Sequence, residues 1–340
     1  MKYLLCSLLL LVFPATATWY PVKVRADGEA QLYKPLVRAN KAWRLCALLP
    51  HGKDHYWWGV AWGLAEEADR LGVEIGIYDA GGYTEAERQL RQLDECEARG
   101  AQGYILAAVS AELFNAELPR LRAKDAKVVD LVNGINSNQV DSRSLVSFVD
   151  MTQAAVQYLF AASGRQDFSL AWFPGPSGAG WVMDAELGLK QGLSGSQVEL
   201  IEGGYGVTET FVQADLVRAL TRRFQADYLL GNAVAATVAA RMFPGRVLAF
   251  YSNPQTMALV EQGKLMATVT DLPVLQARIS VDLAVRLLQG EKVPGRVSPE
   301  IRVVTPQNIS ELDMSQTLPP EGQWMTYREL SKLEGAKPDP

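Results

Sequence analysis

Leu45-Cys46-Ala47-Leu48-Leu49 runs through a short polar loop into Asp54-His55-Tyr56-Trp57-Trp58-Gly59, and an amphipathic stretch then continues to Leu71. An apolar run of strand length followed by apolar residues at helical spacing reads as one βα unit. Glu66, Glu67 and Arg70 mark the expected solvated face of that helix. The unit recurs, with strands expected at Leu45–Leu49, Val73–Tyr78, Gly103–Ala107, Lys127–Leu131 and Leu145–Val149, and helices clearest at Trp57–Leu71 and Thr84–Arg99. The pattern then restarts. Strands at Ser169–Phe173, Val198–Glu202, Tyr228–Leu230, Val247–Tyr251 and Leu265–Val269 alternate with helices near Gly180–Gly192, Thr208–Phe224, Val234–Met242 and Pro254–Gln262. A long helix, Pro273–Gln289, and a strand near Ile301–Val304 follow.

Two such sets predict an α/β protein of two doubly wound parallel-sheet lobes. The chain is expected to cross between them at Phe148-Val149-Asp150-Met151, at Thr270-Asp271-Leu272-Pro273 and at Val304-Thr305-Pro306. Three crossings make a hinge, with a cleft between the C-terminal strand ends of both sheets. On this reading residues 44–148 and 273–304 form the N-terminal lobe, and 149–272 with 305–336 the C-terminal lobe. Residues 18–43 lack a clear period and are expected to lie across the surface as an extension. The tail after Leu318 is rich in Pro, Gly and charge, and Lys337–Pro340 is expected to fray.

The first 17 residues read as a secretory signal: Lys2 gives the positive start, Leu4 to Phe13 the apolar core, and Ala15-Thr16-Ala17 the small-residue cleavage site. That core is too short for a membrane span, and Cys6 lies too early in it for a lipoprotein. Cleavage leaves Cys46 and Cys96, an even pair that an oxidising compartment favours as a disulfide; two buried free thiols are the alternative. A formal charge of −5 offers no nucleic-acid surface.

The aromatic run falls at the cleft edge of the first lobe, where a polar loop tip is usual, and predicts a pocket of flat faces suited to a cation. Further ordered motifs accompany it: Lys41 to Leu48, Ala80-Gly81-Gly82-Tyr83, Cys96, Pro174-Gly175-Pro176 with Ala179-Gly180, Phe250-Tyr251 and Val297-Ser298-Pro299. With the signal, lobes and crossings, this set resembles the type I periplasmic binding proteins, and within them a branch that senses trimethylamine N-oxide. The resemblance spans about Lys41 to Asn308. It implies an exported sensor component that docks on the periplasmic domain of a membrane histidine kinase, with no catalytic residue, metal or cofactor.

Trimethylamine N-oxide needs aromatic faces around its methyls, at ~0.5–2 kcal/mol per good contact, and donors for its oxygen. The resemblance carries Tyr56 and Trp57 over as cage residues, with the Tyr56 hydroxyl also able to donate, and pairs Tyr251 with them from the second lobe. The branch has Trp where this chain has Phe148, which keeps a π face but loses area and the indole N–H. Asp54 either caps the helix or faces the ligand nitrogen, and Trp58 reads as packing. Asn232 and Asp271 end strands on the cleft side; Asn232 can donate to the oxide, and Asp271 can instead cap a helix. Gly175, in Pro174–Gly180, offers an oxygen-binding nest or merely a turn, and Trp181 can fold over the cleft.

Other readings fit less well. Gly175-x-Ser177-x-Ala179 approaches a nucleophile elbow, but His51 and His55 both lie upstream and no histidine follows. Neither a P-loop nor a dinucleotide glycine fingerprint is present. A periplasmic sugar or autoinducer receptor, feeding an ABC transporter or another kinase, remains the alternative, though it requires more polar groups than this cleft supplies.

Overall fold

The computed structural model describes residues 18–325 and 327–332; the expected signal sequence and the tail at Lys337–Pro340 lie outside them. In chain order the first sheet's elements are β1 (Val22–Ala26), β2 (Glu29–Tyr33), β3 (Arg44–Leu49), α1 (Tyr56–Leu71), β4 (Glu74–Asp79), α2 (Ala86–Ala98), β5 (Gly103–Leu106), α3 (Leu118–Ala123), β6 (Lys127–Leu131) and β7 (Ser142–Ser144). Next come α4 (Phe148–Ser163), β8 (Ser169–Phe173), α5 (Gly180–Gly192), β9 (Glu199–Glu202), α6 (Thr210–Thr221), β10 (Tyr228–Gly231), α7 (Ala233–Ala240), β11 (Val247–Ala249), α8 (Pro254–Glu261) and β12 (Ala267–Thr270). The chain closes with α9 (Pro273–Leu288), β13 (Val297–Pro299) and β14 (Arg302–Val304).

The strands form two sheets, β2-β1-β13-β7-β6-β5-β3-β4 and β14-β12-β11-β10-β8-β9. Pairing is parallel from β13 to β4 in the first sheet and from β12 to β9 in the second, the architecture expected of βα repeats. Period-two alternation divides β3. Leu45, Ala47 and Leu49 face the core with α1 and α9, while Cys46 and Leu48 face a second core under α2 and α3. On that second face Cys46 is bridged to Cys96 of α2, Cα atoms 6.1 Å apart. Helices α1 and α9 pack closely because Gly63 leaves its backbone bare: a Cβ there would sit 2.5 Å from the Val274 carbonyl.

Several boundaries correct the sequence reading. The stretch expected as a surface extension forms a hairpin, β1 and β2, and β1 pairs with β13 at the edge of the first sheet. The signal was there in Asp27-Gly28 between alternating runs, both residues at positive φ. The strand expected at Leu145–Val149 lies at Ser142–Ser144, because Ser147 caps α4 by accepting from the Asp150 N–H. Glu67, placed on a solvated face, is buried and accepts from Trp19 Nε1 at 2.9 Å and from Arg70.

The third crossing also moves. β13 belongs to the first sheet, whereas β14 pairs antiparallel with β12 of the second, so the chain changes lobe at Glu300–Ile301 and Arg302–Val304 is not part of the N-terminal lobe. The tail does not stay with the C-terminal lobe either. Leu312 and Leu318 pack there, but Arg328 bridges to Ile77 and Leu330 is fully buried beside Gly76 at the β4 edge. A strap therefore ties the second lobe back to the far edge of the first.

Candidate ligand-binding cleft

The C-terminal strand ends of both sheets converge on a small cavity with about 280 Å³ of empty space. The first lobe contributes Asp54, Tyr56 and Trp57 from the start of α1, Tyr83 from the loop after β4, and Val132 and Asn133 after β6. Phe148 stands at the first crossing; Trp181, Thr208 and Tyr251 close the cavity from the second lobe. Val132 has φ of 64°, strained for a β-branched residue, at the turn that brings Val132 and Asn133 to the wall.

Six aromatic rings surround the space. Tyr56 lies edge-on to Trp57 (5.2 Å between centroids) and to Tyr251 (5.7 Å). Trp181 contacts Phe148 at 5.6 Å, Tyr251 at 5.7 Å and Tyr83 at 6.1 Å. Gly175 makes the Trp181 position possible. With φ of 130°, its missing Cβ would lie 2.6 Å from the indole. Gly175 thus supports a wall and is not itself among the lining residues.

One carboxylate lies in this wall, and it joins the lobes. Asp54 Oδ1 accepts from the Tyr56 N–H at 3.1 Å and from Asn253 Nδ2 at 3.1 Å; Oδ2 accepts from the Tyr251 hydroxyl at 2.5 Å. Asp54 therefore bonds the first N–H of α1 while lining the cavity, though His55 is the helix N-cap. Tyr56 donates to Asp271 Oδ2 at 2.8 Å, so its hydroxyl hydrogen is not available to a ligand as the sequence reading had it. Burial, then the neighbouring Asp271 and Asp54, raises the pKa of Tyr56 and Tyr251 and keeps both neutral donors. Burial also raises Asp271.

Asp271 stands behind Tyr56, bound also by Gln276 Nε2 at 2.7 Å, and does not line the cavity. Neither does Asn232. Its Oδ1 caps α7 through the Val234 and Ala235 N–H groups, and its Nδ2 donates to Phe173 O and Gln213 Oε1. Trp58 turns outward, donating to Gly52 O at 2.9 Å and stacking on His55. The sequence reading did not select Asn133, Val132 or Thr208, and placed Tyr83 only within a motif. Each follows a strand end, the one signal that could have found them.

Donors remain for a ligand. Trp181 Nε1 is buried without a well-formed hydrogen bond, and the Tyr83 hydroxyl receives only weak contacts, from the Trp181 indole and from Asn133 Nδ2 at 3.4 Å, which leave its own hydrogen to donate. At the rim, Lys53 Nζ pairs with Glu209 Oε1 at 2.7 Å, His51 Nε2 meets Thr208 Oγ1 at 3.4 Å, and Gln255 bonds His55. The lobes are therefore latched around the cavity on several sides.

Fold and cleft define a two-lobed solute receptor, and the chain belongs to the periplasmic binding proteins: the family's periplasmic binding protein domain matches residues 46–292. Among curated relatives it is similar to the periplasmic protein TorT of Escherichia coli K12, 31% identical over 296 residues that cover 84% of each chain. Among solved structures it is similar to an ABC transporter solute-binding protein from Bradyrhizobium sp. BTAi1 with bound bis-tris: 39% identity, TM-score 0.78, covering 91% of this chain and 98% of that one. It also matches the fold of the TorS sensor domain–TorT complex in the presence of TMAO: 24% identity, TM-score 0.74, covering 84% of this chain and 100% of that one. The family and the resemblance read from the sequence are both borne out.

Proposed function

We propose that this chain is a periplasmic sensor protein that closes its lobes on trimethylamine N-oxide, or a close methylated amine, and modulates a TorS-like membrane histidine kinase through its periplasmic domain. The observation that carries the reading is the cage itself, six aromatic rings from both lobes around a small cavity whose wall holds one carboxylate, Asp54. Ring quadrupoles and that carboxylate favour a methylated nitrogen with cationic character. The Trp181 N–H and the Tyr83 hydroxyl supply donors for an oxide. A sugar requires many convergent polar groups, and most of those present are already bonded to one another. The 31% identity to TorT supports the kinase link. Calorimetry with trimethylamine N-oxide, glycine betaine and ribose, with and without the kinase's periplasmic domain, tests the reading; binding of ribose alone overturns it.

A second reading is a receptor delivering an amine to an ABC transporter, favoured by the 39% identical solute-binding protein with bound bis-tris, a tertiary amine. Binding of the methylated amine without any response to the kinase domain supports that reading instead.

A further inference from the structure

Gln276, in the first turn of α9, is fully buried and does not line the cavity. Its side chain is spent on the hinge. Nε2 donates to the main-chain oxygen of Asp271 at 3.0 Å and to Oδ2 of the same residue at 2.7 Å. Oε1 accepts from the Val146 N–H at 3.1 Å, two residues before α4 begins. One amide therefore grips the second crossing at Asp271 and the first at Val146. Leu145 carries the contact on towards the third crossing: its carbonyl accepts from Ser298 Oγ at 2.6 Å, just before the chain changes lobe at Glu300–Ile301.

The other end of this network is the cage. Asp271 Oδ2 also accepts from the hydroxyl of Tyr56, which lines the cavity. Asp271 directly follows β12 of the second sheet, whereas Tyr56 and Gln276 stand on α1 and α9, which pack together in the first lobe. Both bonds to its carboxylate thus join the end of one lobe's sheet to the helices of the other. Leu272, the next residue, has φ of 55°, a left-handed conformation strained for leucine. Gln276 holds it from both sides, through Asp271 and through its own N–H, which donates to the Leu272 carbonyl at 3.0 Å. Strain of this kind persists only where surrounding contacts impose it, so the grip on Asp271 and the angle of the hinge are linked.

We propose that Gln276 is a positioning residue for lobe closure: through Asp271 it transmits the placement of Tyr56 in an occupied cage to the first and second crossings. The identity of the occupant rests on the reading above, whereas the relay does not depend on it. A relay of this kind predicts non-additivity between its two ends, because either cut interrupts the same chain.

The test is a double-mutant cycle on the full chain with trimethylamine N-oxide as the probe, read by calorimetry and, with and without the probe, by small-angle scattering. Tyr56→Phe removes the hydroxyl at the cage end, and Gln276→Met removes the amide at the hinge end. Each is expected to weaken binding about tenfold. The double variant is expected to bind within about threefold of the weaker single variant. Gln276→Met and the isosteric Asp271→Asn are both expected to show a more open unliganded population, and Asp271→Asn carries that readout should Gln276→Met fail to fold. Ser280→Ala removes a buried hydroxyl that bonds Ala277 O within α9, and is expected to match the wild type in binding and scattering. Single losses that multiply to about 100-fold in the double variant overturn the proposal. So does a Gln276→Met chain that melts lower but binds and closes as the wild type does. A wild-type chain that does not bind the probe overturns the ligand reading alone. The unliganded scattering then decides the relay, and variants as compact as the wild type overturn it.

Discussion

The Tyr251 hydroxyl of the second lobe donates to Asp54 Oδ2 of the first at 2.5 Å, directly beside the cavity. This bond exists only when the lobes are together, because β11 and β3 belong to different sheets. Tyr251→Phe keeps the ring and leaves Asp54 Oδ2 without that donor, at about 1–3 kcal/mol for a buried group left short of a partner. Since Asp54 is solvated in an open form, the loss falls on closure. Ligand affinity is expected to fall about five- to 150-fold, with small-angle scattering showing a more open population. Unchanged affinity would show that closure does not depend on this bond.

On the proposed reading, Trp181 serves both halves of a trimethylamine N-oxide ligand, its methyls and its oxygen. Trp181→Phe keeps a π face and removes an N–H that makes no well-formed hydrogen bond. Affinity for the oxide is expected to fall by about 1–2 kcal/mol, while tetramethylammonium, which has no oxygen, is expected to bind nearly as well as to the wild type. Equal losses for both ligands would assign the indole to packing alone. Calorimetry with the two ligands reads the difference.

The Cys46–Cys96 bridge closes a loop of 50 residues in the core under α2, on the face of the first sheet opposite α1. Chain entropy for that span corresponds to about 4 kcal/mol of stabilisation. The Cys46→Ser, Cys96→Ser double variant is expected to melt well below the wild type, with ligand affinity preserved at temperatures where both are folded. Coincident melting curves with and without reductant would count against the assignment.

The lobes were legible because each βα unit repeats the same two periods, and parallel strands read as unbroken apolar runs such as Leu45–Leu49. The first lobe's part of the cavity wall was legible for the opposite reason: Tyr56 and Trp57, which line it, stand at a strand-to-helix turn where polar residues are usual. Strand-end polar residues were not decidable by the same logic. Asn232 meets the requirement for a helix cap as well as that for a ligand donor, and only the fold shows that its amide is fully bonded to α7, Phe173 and Gln213. Asp271 likewise accepts from Tyr56 and stands behind the cavity wall. The strap was illegible because its anchor is one buried residue, Leu330, in a Pro- and charge-rich segment whose composition reads as loose. Its fit depends on the bare backbone of Gly76, some 250 residues upstream.

His51 gives the closed form a pH signature. Burial lowers its pKa from 6.5 against the attraction of Asp54, Asp79 and Glu209, with Lys53 acting in the same direction as burial. Its Nδ1 accepts from the Lys53 and Asp54 N–H groups at 3.2 and 3.4 Å, so Nε2 carries the hydrogen that faces Thr208 of the other lobe. A proton on Nδ1 would break both backbone contacts. Because the folded pKa is depressed, the unfolded chain takes up the proton first as pH falls. The stabilisation is complete above 6.5 and is lost progressively below it. Melting temperature is therefore expected to drop more steeply from pH 6.5 to about 5 in the wild type than in His51→Gln. Glu67, Asp130 and Asp271, whose pKa values burial raises, titrate alike in both proteins and cancel in the comparison. Parallel curves for the two proteins would show that His51 is not the group responsible.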